Sequence, residues 1–274
     1  MTTLPLLVST LLTCCGLGAL FFVGLSEVQG YGSESRTPAL AAALCLLVAA
    51  LVLQGVGLGR ATALFSMLRG LSHLSGASLA LCSLLAGVVT AAAYLVMRSR
   101  DASRGALRVV AALSMLVGVL GAWLVGNQYV IANRTEWNTW LVPACYEVNA
   151  LAMGATLLGS AMVLRREPAG ELRRVAVPAA ALAAVQLVSL VAYAGFVGWG
   201  AVSPAWYWAG AVAVGCLASL GAEVASLRAP WAMPVALLCT VAGGLCFRVA
   251  MRMLSSDFIT AVHVVSSGVH GYGM

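Results

Sequence analysis

Four ionisable side chains sit inside long apolar runs of this chain: Glu147, Glu223, Arg248 and Arg252. Arg69 and His73 stand at the mouth of another such run. A charge buried in hydrocarbon is expensive and normally faces protein or a cavity. The chemistry on offer is proton handling. Glu147 can accept a proton, Arg248 can keep that carboxylate ionised by opposite charge, and His73 can pass the proton on to water. Gln128 and Tyr129 add hydrogen-bonding groups close by in the sequence, and Arg248 and Arg252, four residues apart, share one helix face. Glu223 falls near the end of its run, where an interfacial charge is expected. Other chemistries lack their residues: there is no Walker loop, no GxSxG, no HExxH and no pair of carboxylates on one helix.

These groups must be positioned by a membrane scaffold. Of 274 residues, 62% are hydrophobic and only 9% charged, far below the ~25% charge of a soluble domain. The net charge of +6 comes from arginine alone and sits in short links between apolar runs, which argues against a nucleic-acid partner. With no lysine, a retinal Schiff base is excluded. The eight cysteines lie in apolar runs without a CxxC, so neither a disulfide set nor a metal site is expected. A haem held by two histidines would need both at matched depth. His263 and His270 follow the last apolar run and nothing pairs with His73, so no haem is expected.

About 20 apolar residues cross a bilayer, and eight stretches qualify: Leu4–Leu25, Ala39–Leu58, Leu74–Met97, Val109–Ala132, Leu141–Leu164, Val175–Trp199, Trp206–Leu227 and Pro234–Leu254. The expected fold is all-α, a polytopic bundle of eight transmembrane helices forming one anchor domain over 1–274. Ten of the 15 arginines fall in the odd-numbered links. Because positive loops stay inside, both termini are expected outside the cytoplasmic (inner) membrane of a prokaryote. Six tryptophans lie near span ends, where amphipathic rings prefer the interface.

That orientation sets depths. Glu147 lies six residues into the fifth span, roughly 9 Å deep at about 1.5 Å per residue, and Arg248 lies six residues before the end of the eighth. Opposite charges at equal depth are expected to face each other across one pocket, with Tyr129, at the end of the fourth helix, and His73 on its rim.

Three stretches resemble the membrane anchor subunit of dimethyl sulfoxide reductase, the DmsC family. They are LPLLVSTLLTCCGLGAL (4–20), GLGRATALFSMLRGLSHLSGASL (57–79), and WNTW (137–140) with the following LLG (157–159). Arg248 also matches the arginine of the family's last-helix GELIGR run. The resemblance implies an eight-helix anchor without haem. It would oxidise menaquinol and pass electrons to an iron–sulfur subunit, which feeds a molybdopterin catalytic subunit. Arg60 and Arg248 carry over to the family's pattern. The family's quinol-site histidine is Gly57 here, its third-helix glutamate has no acid to match it between Leu74 and Met97, and the acid of GELIGR is Gly244. Glu147 and His73 would then substitute as catalytic groups, with Arg248, Tyr129, Arg60 and Arg252 binding quinol. A structural anchor without a working quinol site and a small-molecule transporter are the alternatives the sequence leaves open.

Overall fold

Each of the eight apolar runs is wound into a helix long enough to cross a membrane. The computed structural model describes residues 3–57, 75–100, 102–131 and 134–269, with side chains between 4 and 254. In chain order the helices are α1 (Thr3–Gln29), α2 (Ser33–Gly57), α3 (Gly76–Ser99), α4 (Arg104–Asn127), α5 (Leu141–Leu164), α6 (Ala169–Val197), α7 (Pro204–Ser226) and α8 (Ala232–Val269). There is no strand among the described residues. The expected link Gly59–His73, and with it Arg60, Arg69 and His73, lies outside the described residues.

Local chemistry explains the helix starts. Ser75, Ser103 and Ser203 each accept a backbone N–H from three residues on, the N-cap bond that satisfies an orphan donor. Pro204 occupies the first turn of α7, where its missing N–H costs nothing. Beyond it, Pro204–Ala218 is wound as a π-helix before α7 continues as α-helix over Ser219–Ser226. Such a long π stretch is rare. At the end of α1, Gly30 takes φ 75° while its N–H and that of Tyr31 bond to the carbonyl of Ser26, a left-handed turn that favours glycine.

The first and fifth helices form the centre. In α1 72% of the membrane-spanning window is buried and in α5 61%, against 28% in α2, so α2 presents most of its surface outward. The α1 and α5 backbones touch: a Cβ on Gly18 would lie 1.8 Å from the Ala150 carbonyl oxygen, and one on Gly154 would lie 2.0 Å from the Gly18 carbonyl carbon. Small residues permit this approach, and it is close packing rather than water exclusion that holds helices together in lipid. Hydroxyls are spent locally or across helices. Thr13, Ser160 and Thr240 donate to the carbonyl one turn back, whereas Ser9 donates to Ala50 O at 2.8 Å and Tyr207 to Leu190 O at 2.6 Å. No hydroxyl of this set faces hydrocarbon unsatisfied, as the membrane interior demands.

One end of the bundle is tied by charge. Glu27 of α1 accepts from Arg36 at 3.0 Å, from Arg98 at 2.7 Å and from the Tyr94 hydroxyl at 3.3 Å. Arg98 also reaches Thr37 Oγ1 and Ser33 O. Across the same end, Ser35 donates to Glu167 Oε1 at 2.6 Å and Gly32 N–H to Glu171 Oε2 at 2.7 Å. Three of the arginine-bearing links are thereby fastened together. Arg36 is not the solvated loop charge that its place in the sequence suggests; it is buried in the first turn of α2, held by the carbonyls of Ser26 and Tyr31. Glu223, three residues from the end of α7, is likewise turned into the protein. It is fully buried on α7, accepting from Ser219 Oγ at 3.0 Å.

Candidate functional site

At the opposite end from Glu27 a pocket of about 220 Å³ opens between α1, α2, α5, α8 and the α4–α5 link. The first half of α1 supplies Thr10, α2 supplies Gln54, the link supplies Gln128, Tyr129 and Trp137, α5 supplies Tyr146, and α8 supplies Arg248 and Arg252. Helix α4 stops at Asn127, so Gln128 and Tyr129 lie beyond it rather than in its last turns. The apolar run continues past that point, but the backbone turns, with Tyr129 N–H on Gly126 O and Val130 N–H on Asn127 O. The turn lets Tyr129 fold back over α5.

The wall so formed is aromatic. Tyr129 stacks on Tyr146 with centroids 5.2 Å apart and meets Trp137 edge-on at 5.9 Å, and Phe247 meets Tyr146 edge-on at 5.7 Å. The Arg134 guanidinium lies 4.7 Å from the Trp137 centroid, which pins the link over the pocket. Burial pushes the Tyr129 phenol above its ordinary range, partly offset by Thr10 and by the charge of Arg248. At neutral pH Tyr129 is therefore a neutral hydrogen-bond donor.

Arg248 is the floor of the pocket and is 1% exposed. Its Nη1 donates to Asn149 Oδ1 at 3.1 Å and to the Gly244 carbonyl, one turn back on α8, at 2.9 Å. Its Nη2 lies 3.5 Å from Thr10 O, and the guanidinium carbon stands 4.6 Å from the Tyr146 centroid. A cation over a desolvated aromatic face gains ~2 kcal/mol, so the buried charge is stabilised by dipoles and a ring. Nε has no partner among the described residues. Gly244 makes the arrangement possible, because a Cβ there would lie 2.5 Å from Asn149 Oδ1. The position where the resemblance expects an acid is thus small, and an amide from α5 takes the place beside Arg248.

Glu147 does not face Arg248. Its two carboxylate oxygens are buried without a hydrogen-bond partner among the described residues, the described ion pairs join only Glu27 to Arg36 and Arg98, and Glu147 does not line the pocket. The reason is azimuth. Tyr146 and Asn149 point at Arg248, and at about 100° per residue position 147 turns well away from both, toward the α4 backbone at Trp123. Equal depth brought the two charges to one level but not to one face.

Of the residues expected from sequence, the fold gathers Arg248, Arg252 and Tyr129 in one pocket with Gln128, while Glu147 stands outside its lining. Arg60 and His73 lie outside the described residues. Sequence reading missed Asn149, Tyr146, Thr10 and Gln54. The signal for Asn149 was present: a lone amide in an apolar helix, in phase with the buried residues Cys145, Tyr146 and Met153. Among the described residues no group of three potential metal ligands occurs.

The model of the DMSO reductase anchor subunit (DmsC) family matches residues 1–197. The match covers α1 to α6, including every pocket residue from Thr10 to Tyr146; Arg248 and Arg252 lie beyond it. No curated protein matches the chain. With eight helices among the described residues long and apolar enough to cross a membrane and a match over well more than half its length, this chain belongs to the DMSO reductase anchor subunit family.

Proposed function

We propose that the pocket built on Arg248 binds menaquinol headgroup-first, and that the subunit oxidises it on behalf of an iron–sulfur partner and a molybdopterin catalytic subunit. The observation that carries this reading is the combination of a stacked aromatic wall with a buried, permanently charged guanidinium at its floor. A flat quinol ring packs against such a wall. Its oxygens would meet the donors of Arg248 and Tyr129, and the amide oxygens of Gln54 and Gln128 can accept from its hydroxyls. At about 220 Å³ the pocket is below the ~300–1,000 Å³ of sites that enclose whole drug-sized ligands, which suits a headgroup whose isoprenoid tail stays in the bilayer.

Oxidation removes two electrons and two protons from the quinol. A guanidinium beside a hydroxyl favours its ionised form, so Arg248 assists the first proton loss. The protons leave through the mouth, where Arg252 is exposed, and the electrons pass to the partner's cluster. Because that cluster must lie within tunnelling reach, the partner docks on the pocket side, over Arg134–Trp140. The arginine bias of the opposite links supports placing this side, and both termini, outside the inner membrane. A fusion at Met274 should be active as a periplasmic reporter and inactive as a cytoplasmic one.

The decisive experiment is oxidation of a menaquinol analogue by the purified complex. Arg248→Gln should lower turnover about tenfold or more, the loss of ~1.4 kcal/mol of transition-state stabilisation, while partner association persists. One observation favours the second reading, a structural anchor without a working quinol site: no carboxylate or histidine is among the described residues lining the pocket. Complex that assembles yet neither oxidises the analogue nor retains quinone would establish that reading instead.

A further inference from the structure

A second recess among the described residues has no part in the site above. A groove of about 710 Å³ runs along the outer surface between α2 and α5, toward the end of the bundle that carries Glu27. Its α2 wall carries the small side chains of Ala39, Ala42 and Ala49, spaced at three- and seven-residue intervals, with Pro38, Cys45 and Leu46 beside them. Its α5 wall is Leu157 and Ala161, and at the mouth stands Arg165, the residue that caps α5. From Ala39 to Ala49 the helix rises about 15 Å, half of a hydrocarbon core of about 30 Å. The groove therefore reaches from one interface to the bilayer midplane. It is the depth of one leaflet.

The one charged side chain among the described residues lining the groove is that of Arg165. It is exposed and is in no ion pair with the described residues: the Glu27 carboxylate is held by Arg36 and Arg98, Glu171 accepts from Gly32, and Glu167 turns toward Ser35, accepting through Oε1 with its Oε2 buried. Arg166 follows it, also exposed. Near a membrane surface each such cation attracts anionic headgroups by about 1 kcal/mol.

The geometry points to a binding site for an anionic phospholipid: the phosphate at Arg165, one acyl chain lying in the alanine-walled trough between α2 and α5. The occupant is a lipid rather than a helix because the trough ends at the midplane, whereas a helix would need a continuous seam across the full span. Charge complementarity selects the headgroup. The exposed thiol of Cys45 lies on the α2 wall and reports on what sits there.

The test is native mass spectrometry of the full chain, released in mild detergent from vesicles of phosphatidylglycerol and phosphatidylethanolamine. The wild type should retain phosphatidylglycerol in preference. Arg165→Gln, at an exposed position that leaves the helix packing alone, should lower that retention about fivefold, and Ala42→Phe should displace lipid of either headgroup by filling the trough. Equal retention of the two lipids by wild type, or retention unchanged by Arg165→Gln, would overturn the proposal. So would efficient Cys45–Cys45 crosslinking in the vesicles, which would put a second copy in the groove. None of these readouts depends on quinol chemistry.

Discussion

Arg248 and Asn149, 99 residues apart, meet at 3.1 Å in the bundle interior, with the ring of Tyr146 completing the cradle. Two residues on one face of α5 thus hold the only guanidinium buried at this end among the described residues. Removing the acceptor should be felt as a charged hydrogen bond lost. Asn149→Leu is expected to destabilise the protein by ~1.5–3 kcal/mol, measured as a shift of the unfolding midpoint in detergent, and Asn149→Asp, which keeps an acceptor, should lose much less.

Glu147 and Arg248 should separate in function as they do in space. If quinol is oxidised at Arg248, Glu147→Gln is expected to leave turnover within about twofold, whereas Arg248→Gln lowers it about tenfold or more. Quinol-dependent reduction by the assembled complex measures both. A Glu147→Gln variant as impaired as Arg248→Gln would mean that the carboxylate reaches the pocket during turnover.

The contact between Gly18 and Gly154 admits no added atom, because the obstacle is backbone on both sides. Either glycine replaced by alanine must push α1 and α5 apart, at ~1–3 kcal/mol or more for overpacking. Folded yield after detergent extraction should fall for both single variants. Gly105→Ala, whose Cβ meets nothing within 4 Å, is the control expected to leave yield unchanged.

Glu27 is the acid shared by two arginines, one of them nearly buried. Glu27→Gln leaves Arg36 uncompensated and should destabilise by ~3–5 kcal/mol, the range for breaking a buried pair. Arg98 is more exposed, and Arg98→Gln should cost under about 1 kcal/mol. Thermal unfolding of the two variants would rank them.

Tyr31, in the α1–α2 link, is 1% exposed and its hydroxyl has no partner among the described residues. Burial pushes its phenol up to about 12, with Arg36 and Arg174 opposing. In the unfolded chain a tyrosine ionises near pH 10, so between about 10 and 12 the folded state keeps a proton that the unfolded state has lost. Stability is then full below pH 10 and declines as pH rises toward 12. Tyr31→Phe removes this alkaline loss without breaking a hydrogen bond, and pH-dependent unfolding of the two proteins should show curves that coincide below pH 10 and diverge above it.

The eight spans were legible because hydrocarbon thickness imposes a length that composition reveals directly. Errors entered where the third dimension decides. The end of α4 was placed late since Tyr129–Ala132 is as apolar as the helix before it, and only the backbone turn distinguishes them. The burial of Arg36 was hidden because its partners Ser26, Glu27 and Tyr31 reach it only once the chain turns from α1 into α2, and that of Glu223 because composition does not say which face of α7 turns inward. Helix rise correctly set Glu147 and Arg248 at one level, yet a level is a ring, and the hundred degrees between Tyr146 and Glu147 separates the pocket from the α4 side. Asn149 was readable from its phase on α5; Thr10 and Gln54 were not, since nothing local says which faces of α1 and α2 converge.

The fit of Gly244 against Asn149 has a consequence for descent. An acid at the place of Gly244 would collide with the Asn149 amide, so the two positions can change only as a pair or through a poorly packed intermediate. Gly244→Glu alone should be deleterious, Asn149→Gly alone should strip Arg248 of an acceptor, and the double variant should recover much of both losses. The difference between the double and the summed singles is a coupling energy, expected at ~0.5–3 kcal/mol for residues in one network. Its size would measure how tightly the counter-group of Arg248 on α5 constrains what α8 can carry at position 244.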